Sequence, residues 1–208
     1  MINTLINRYP ALASCREQIE EAINTIISCY ENGGKLLLCG NGGSCADCDH
    51  ISGELLKGFL KKRPLSQSQK EKMKENCPEL TENELCSLQN GLPVVSLPHL
   101  SALNSAFCND VDPELIYAQS TLALGKAGDV MIAISTSGNA KNVAAAVKVA
   151  RGIGMTVIGL TGKDGGKLKE LCQNCIIAPE NETFKIQEYH LPIYHVICAA
   201  VEEHFYEI

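Results

Sequence analysis

Residues 35–44, KLLLCGNGGS, decide the fold. An unbroken apolar run without alternation is buried on both faces, as in a parallel strand covered by helices on either side. This run opens directly into a glycine-rich turn, where a helix begins. Apolar runs at residues 93–97, 129–134, 156–160 and 175–178 likewise precede polar turns, with helical stretches between them. Five such strands alternating with helices predict an α/β fold with a doubly wound, five-stranded parallel sheet.

Upstream, residues 1–32 read as an N-terminal helical segment. Ile19, Ile23, Ile26 and Tyr30 share one face, Pro10 is tolerated if a second helix begins there, and Asn32-Gly33-Gly34 stops the helix. Residues 33–208 form the main domain. Its last helix, over residues 182–205, carries Ile186, His190, Ile193, Ile197 and Val201 along one stripe, with a kink expected at Pro192. Residues 61–92 break the rhythm with a polar, charged stretch, which reads as an insertion. A surface hairpin of helices and a mobile loop both fit it, and long insertions often border a site.

Composition narrows the function classes. Hydrophobic residues make up 45% of the 208 and charged residues 20%, as in globular proteins. The 18 Lys and Arg against 24 Asp and Glu give a net charge of -6, so no nucleic-acid partner is expected. No apolar run reaches the roughly 18 residues of a membrane span, and the start lacks a signal-peptide pattern, so a cytoplasmic protein without membrane association is expected. Eleven cysteines, odd in number and set in apolar segments, fit reduced thiols without structural disulfides. The pairs Cys45/Cys48 and Cys172/Cys175 have zinc-ligand spacing, but with so many cysteines such pairs arise by chance. Cys45, near a helix start, is a candidate low-pKa thiol.

Three polar loops follow predicted strands: GNGGS at 40–44, STSGN at 135–139 and TGKDGG at 161–166. In an open α/β sheet the carboxyl ends of the strands share one edge, where ligands bind. Any one loop alone is explained by caps and turns. The three together read as a phosphate cradle, with Ser135, Thr136 and Ser137 offering hydroxyls and backbone N–H groups at a helix N-terminus. Neither GxxxxGK[ST] nor GxGxxG is intact, so nucleotide motifs fail on spacing. His50 and Glu54, at i and i+4, share a helix face suited to metal binding or proton transfer. The last helix offers Gln187, Glu188, His190 and His195. Gln187 and His195 lie roughly 12 Å apart on a continuous helix, too far to share an ion unless the helix breaks or different subunits supply them. His190, on the apolar stripe, reads as a core or interface residue.

GNGGS with Asp47, His50 and Glu54, then STSGN, TGKDGG and IQEYH with His195, closely resembles the sugar isomerase (SIS) domain family, a flavodoxin- or Rossmann-like fold, and within it the phosphoheptose isomerases. The resemblance covers roughly residues 10–60 and 93–206. It implies interconversion of sedoheptulose 7-phosphate and D-glycero-D-manno-heptose 7-phosphate by a homotetramer with active sites at subunit interfaces. It also implies a divalent metal, commonly zinc, on His50, Glu54, Gln187 and His195. By the same resemblance, Glu54 and His195 are the catalytic acid/base pair. Ser44, Ser135, Thr136 and Ser137 meet the phosphate, with Gly42 and Gly43 in the same loop, and Asn41, Asp110 and Gln187 complete the substrate site.

The chemistry is coherent, because ketose–aldose conversion needs one base beside the carbonyl and one acid for the enediol oxygen. Departures from the family pattern are Ala140 in place of a serine, Lys57 and Lys185 in place of arginines, and the 61–92 insertion. They bear on which sugar phosphate is used more than on reaction class. The alternative is a non-catalytic SIS module that binds a sugar phosphate or a protein, as relatives that bind the bacterial replication initiator do. Those relatives typically lack the matching Glu and final His that this chain has.

Overall fold

The computed structural model describes residues 1–206, two short of the end of the expected main domain. Strand β1 (Leu36–Gly40) is buried along its whole length. Its side chains divide between two cores: Leu36 and Leu38 face one, Leu37 and Cys39 the other. With β2 (Val94–Ser96), β3 (Val130–Ser135), β4 (Thr156–Thr161) and β5 (Asn174–Ile177) it forms one sheet of order β2-β1-β3-β4-β5. Every pairing is parallel, with Leu38 opposite Ser96 on one side and Ile132 on the other. The predicted strands are therefore present and parallel, each within a residue or two of its expected bounds.

The helices, in chain order, are α1 (Ile2–Arg8), α2 (Arg16–Glu31), α3 (Gly43–Leu56), α4 (Gln67–Asn76), α5 (Glu82–Ser87), α6 (Ser101–Asp110), α7 (Ile116–Leu124), α8 (Lys141–Gly152), α9 (Gly166–Leu171) and α10 (Thr183–Phe205). One core packs α2, α3 and α10 against the sheet through Ile19, Ile26, Ile51, Leu55, Ile193 and Ile197. The other packs α7, α8 and α9 through Tyr117, Val143, Val147 and Leu168. Each fully buried Leu or Ile contributes about 1.5–3 kcal/mol of transfer free energy, so the two layers supply most of the driving force.

The N-terminal segment departs from its expectation. Pro10 opens a 3₁₀ turn, Pro10–Cys15, and the second α-helix starts only at Arg16. Leu5, Leu12 and Ile19 carry all three pieces into the same core as the sheet. The insertion takes the helical alternative. Its helices α4 and α5 each start with a capping box, Ser66 with Gln69 and Thr81 with Glu84, so short polar sequences become helical with little buried surface. The two ends of the excursion meet: Pro64 bridges Gln89, and Asn90 N–H donates to the Arg63 carbonyl at 2.7 Å.

Helix α10 runs unbroken through Pro192. Proline removes a bond to the carbonyl four residues back, here on Glu188, which is exposed and can be solvated instead. The predicted stripe of Ile186, His190, Ile193, Ile197 and Val201 is buried throughout. His190 is the polar member, and its Nε2 donates to the Thr161 carbonyl at 3.0 Å. Burial holds its pKa down, at about 4. Between the ordinary histidine value and about pH 4 the unfolded chain therefore takes up a proton that the native one refuses, so stability falls as pH falls through that window. Urea unfolding from pH 7 to pH 4 should show this slope, worth about 3 kcal/mol at most, and His190→Asn should flatten it.

Candidate active site

The three polar loops meet at the carboxyl edge of the sheet. Gly42 has φ +57°, a backbone that only glycine adopts readily, and it turns the chain from β1 into α3. Asn41 exchanges amide hydrogen bonds with Asn142 at 2.8 and 3.0 Å, tying the first loop to α8. The second and third loops are joined by the Gly162 N–H to the Thr136 carbonyl and the Leu168 N–H to the Gly138 carbonyl, both at 3.1 Å. Gly138 also has positive φ, and a Cβ there would strike the Gly165 carbonyl. Ser44 and Ser135 are buried in the loop bases, while Thr136 and Ser137 are partly open. Ser137 Oγ accepts the Asn139 N–H at 3.2 Å.

Helices α3 and α10 leave this edge side by side and run parallel. At their start, a Cβ on Gly43 would collide with the Gln187 carboxamide. Two turns on, the Tyr194 hydroxyl lies 2.9 Å from His50 Nδ1. There His50 Nε2 is 3.0 Å from Glu54 Oε1, and the His50 and His195 rings meet edge to face at 5.0 Å. His50, Glu54 and His195 each present a ligand atom within 4.8 Å of the other two. Phe59 covers His195 with its ring 5.5 Å away. Burial, and then the neighbouring His50, push the His195 pKa below the ordinary histidine value, against the pull of Glu54. Burial pushes the Asp47 carboxyl up to about 6, against the pull of the Tyr194 hydroxyl and His50.

The structure thus brings together three of the four residues expected to hold a metal. Gln187 is not among them: on an unbroken helix it sits roughly 12 Å before His195, beside the first loop. Asp110 lies exposed at the end of α6, hydrogen-bonded to Asn109. Glu54 is likewise about 15 Å along α3 from Ser44, so within one chain the expected acid/base pair and the expected phosphate loops stand apart. No thiolate cluster forms among the described residues, and all eleven cysteines are free. Cys45 is not an activated thiol, because burial and then Asp49 raise its pKa. Tyr194 and Phe59 were missed from sequence. The aromatic beside His195 in IQEYHLPIYH was the available signal for Tyr194.

The triad fits a divalent cation. His195 Nε2 is buried without a hydrogen-bond partner. If His50 gives its Nδ1 proton to Tyr194, its Nε2 lone pair faces Glu54 and His195, a donor set that a metal reconciles.

Comparison with known proteins bears on this arrangement. SIS domain family models match residues 102–201 and 5–84. A phosphoheptose isomerase from Helicobacter pylori (strain P12) is 35% identical over 195 residues, covering 94% of this chain and 88% of the relative. The chain belongs to the phosphoheptose isomerase family. Another member, from Aneurinibacillus thermoaerophilus, is 38% identical over 185 residues, covering 89% of this chain and 80% of that one. The solved phosphoheptose isomerase of Neisseria gonorrhoeae superposes with a TM-score of 0.76 at 30% identity, covering 97% of this chain and 95% of its own. No helix among the described residues is long and apolar enough to span a membrane.

The contact between Gly138 and Gly165 holds the second and third loops together. Gly138→Ala should therefore cost about 3 kcal/mol or more in urea unfolding, with left-handed strain and the carbonyl clash adding.

Proposed function

We propose that this chain interconverts sedoheptulose 7-phosphate and D-glycero-D-manno-heptose 7-phosphate through an enediol. The observation that carries this reading is the cluster of Glu54, His50 and His195, a carboxylate and two imidazoles with ligand atoms within 4.8 Å of one another, in a chain of the phosphoheptose isomerase family. The non-catalytic module would have no use for such a cluster.

Glu54 lifts the proton from the carbon beside the carbonyl. His195, whose pKa burial and then His50 hold below the ordinary histidine value, exchanges a proton with the enediol oxygen. Phe59 limits water at His195, and Tyr194 fixes the orientation of His50. His50, Glu54 and His195 would hold a divalent metal, taken to be zinc, with Gln187 as a further ligand. When bound, such a metal supplies a Lewis acid that polarises the sugar carbonyl.

Ser44, Ser135, Thr136 and Ser137 bind the phosphate, and Asn41 and Asp110 the sugar hydroxyls. Because the loops and the triad stand apart within one chain, the working site combines the loops and Gln187 of one copy with the triad of another. A homotetramer supplies such interfaces. An apolar groove lined by Leu5, Phe59, Leu60, Leu191 and Val196 opens beside His195, and Leu60 is 65% exposed there, as an unassembled contact surface would be. Eleven free thiols suit the reducing cytoplasm.

Proton and phosphorus NMR with sedoheptulose 7-phosphate in deuterated water tests the reaction: solvent deuterium should enter the sugar as an aldose phosphate appears. Glu54→Gln should lower turnover by about 100-fold or more, and full turnover by that variant would sink the assignment. A shared site makes a second prediction. Glu54→Gln and Ser135→Ala, each impaired alone, should regain part of the activity when co-assembled, since some interfaces then combine intact halves.

A further inference from the structure

Arg63 lies in KKRP, at the start of the polar insertion, yet its side chain is fully buried. Its guanidinium spends its donors on three partners: Nε on Glu202 Oε1 at 2.8 Å, Nη1 on the Leu55 carbonyl at 2.6 Å, and Nη2 on the Glu54 carbonyl at 3.0 Å. The last two are carbonyls of the final turn of α3, which the helix itself leaves without donors. Arg63 therefore caps the turn that carries Glu54. Its face is covered by the Tyr206 ring, 4.8 Å from the guanidinium carbon.

Glu202 sits two turns beyond His195 on α10 and is as buried as its partner. Its carboxylate also accepts the N–H groups of Phe59, Leu60 and Lys61 at 2.8, 2.7 and 3.1 Å. Burial raises its pKa, but these N–H groups and Arg63 outweigh that and leave it below the usual carboxylate range. The same segment carries Phe59, whose ring lies on His195.

We propose that Arg63 and Glu202 are positioning residues for the acid/base pair, fixing Glu54 on α3 against His195 on α10 and holding Phe59 over the imidazole. Neither touches substrate. The link runs through backbone atoms of Glu54 and Phe59, so the pair sets where the two catalytic side chains start rather than what they are. This rests on the isomerase reading for its catalytic consequence, but the geometric claim stands apart from it.

The test is the double variant Arg63→Met/Glu202→Leu, which removes both buried charges together and so avoids stranding one, with Glu202→Gln as its conservative companion. Thermal melting checks that each is folded. In the metal-free protein, the His195 ring-proton NMR resonances should move, because Phe59 no longer lies at its native distance. Cobalt affinity, read from the d–d absorption band against a competing chelator, should fall by about tenfold or more. With sedoheptulose 7-phosphate, kcat should fall by about tenfold or more while KM changes little. A folded double variant with parental His195 resonances, cobalt affinity and kcat would overturn the proposal and leave the pair a support of the fold alone. If the double variant does not melt cooperatively, the same readouts on Glu202→Gln decide, and parental values there overturn it equally. Failure of the isomerase reading would show in the parent protein, as absence of turnover, and the NMR comparison would still decide the positioning claim.

Discussion

Two helices packed in parallel carry the whole arrangement. Helix α3 starts where β1 ends, α10 starts after β5, and the two run from the carboxyl edge of the sheet in a fixed register. Gly43 meets Gln187 at the top, His50 meets Tyr194 in the middle, and the chain just after α3 meets Glu202 at the bottom. Close approach at the first level needs a residue without a side chain, and at the last it needs a buried charge to be fully answered. Between those constraints the middle level has little freedom, and it is there that the imidazoles and the carboxylate converge.

The same register separates functions along the helix axis. The loop edge gathers backbone amides and hydroxyls, groups suited to an anion. The middle level gathers titratable side chains in a half-buried setting, where Asp47 and His195 are both shifted toward their neutral forms. Within one chain the two sets stand roughly ten helical residues apart along α3.

How much of this was legible in the sequence follows from what each residue does locally. Strands buried on both faces leave unbroken apolar runs, so LLLCG and its four counterparts announced a parallel sheet. The stripe on α10 was equally plain, including His190 as a core residue. The new start at Pro10 was legible too, but its 3₁₀ character was not, because a proline that can open an α-helix can equally open a 3₁₀ turn. His50 and Glu54 could be paired by spacing, but their meeting with His195 depends on tertiary packing and came only through resemblance. Arg63 follows two lysines and Glu202 precedes another glutamate, so composition marks both as solvated surface. Only the fold shows that one member of each run is desolvated.

The helical excursion leaves the domain after Arg63 and comes back at Asn90, and those two residues are hydrogen-bonded to each other. A segment closed at its own root behaves as a graft. The entropy of loop closure grows only slowly with length, so an excursion of this kind can be lengthened, shortened or replaced over evolutionary time at small energetic cost. The root itself is more constrained, since Arg63 reaches inward to the end of α3 and to Glu202 on α10. The appendage can therefore change in size at little cost to the fold, whereas replacing the arginine at its root would strand the buried Glu202 carboxylate.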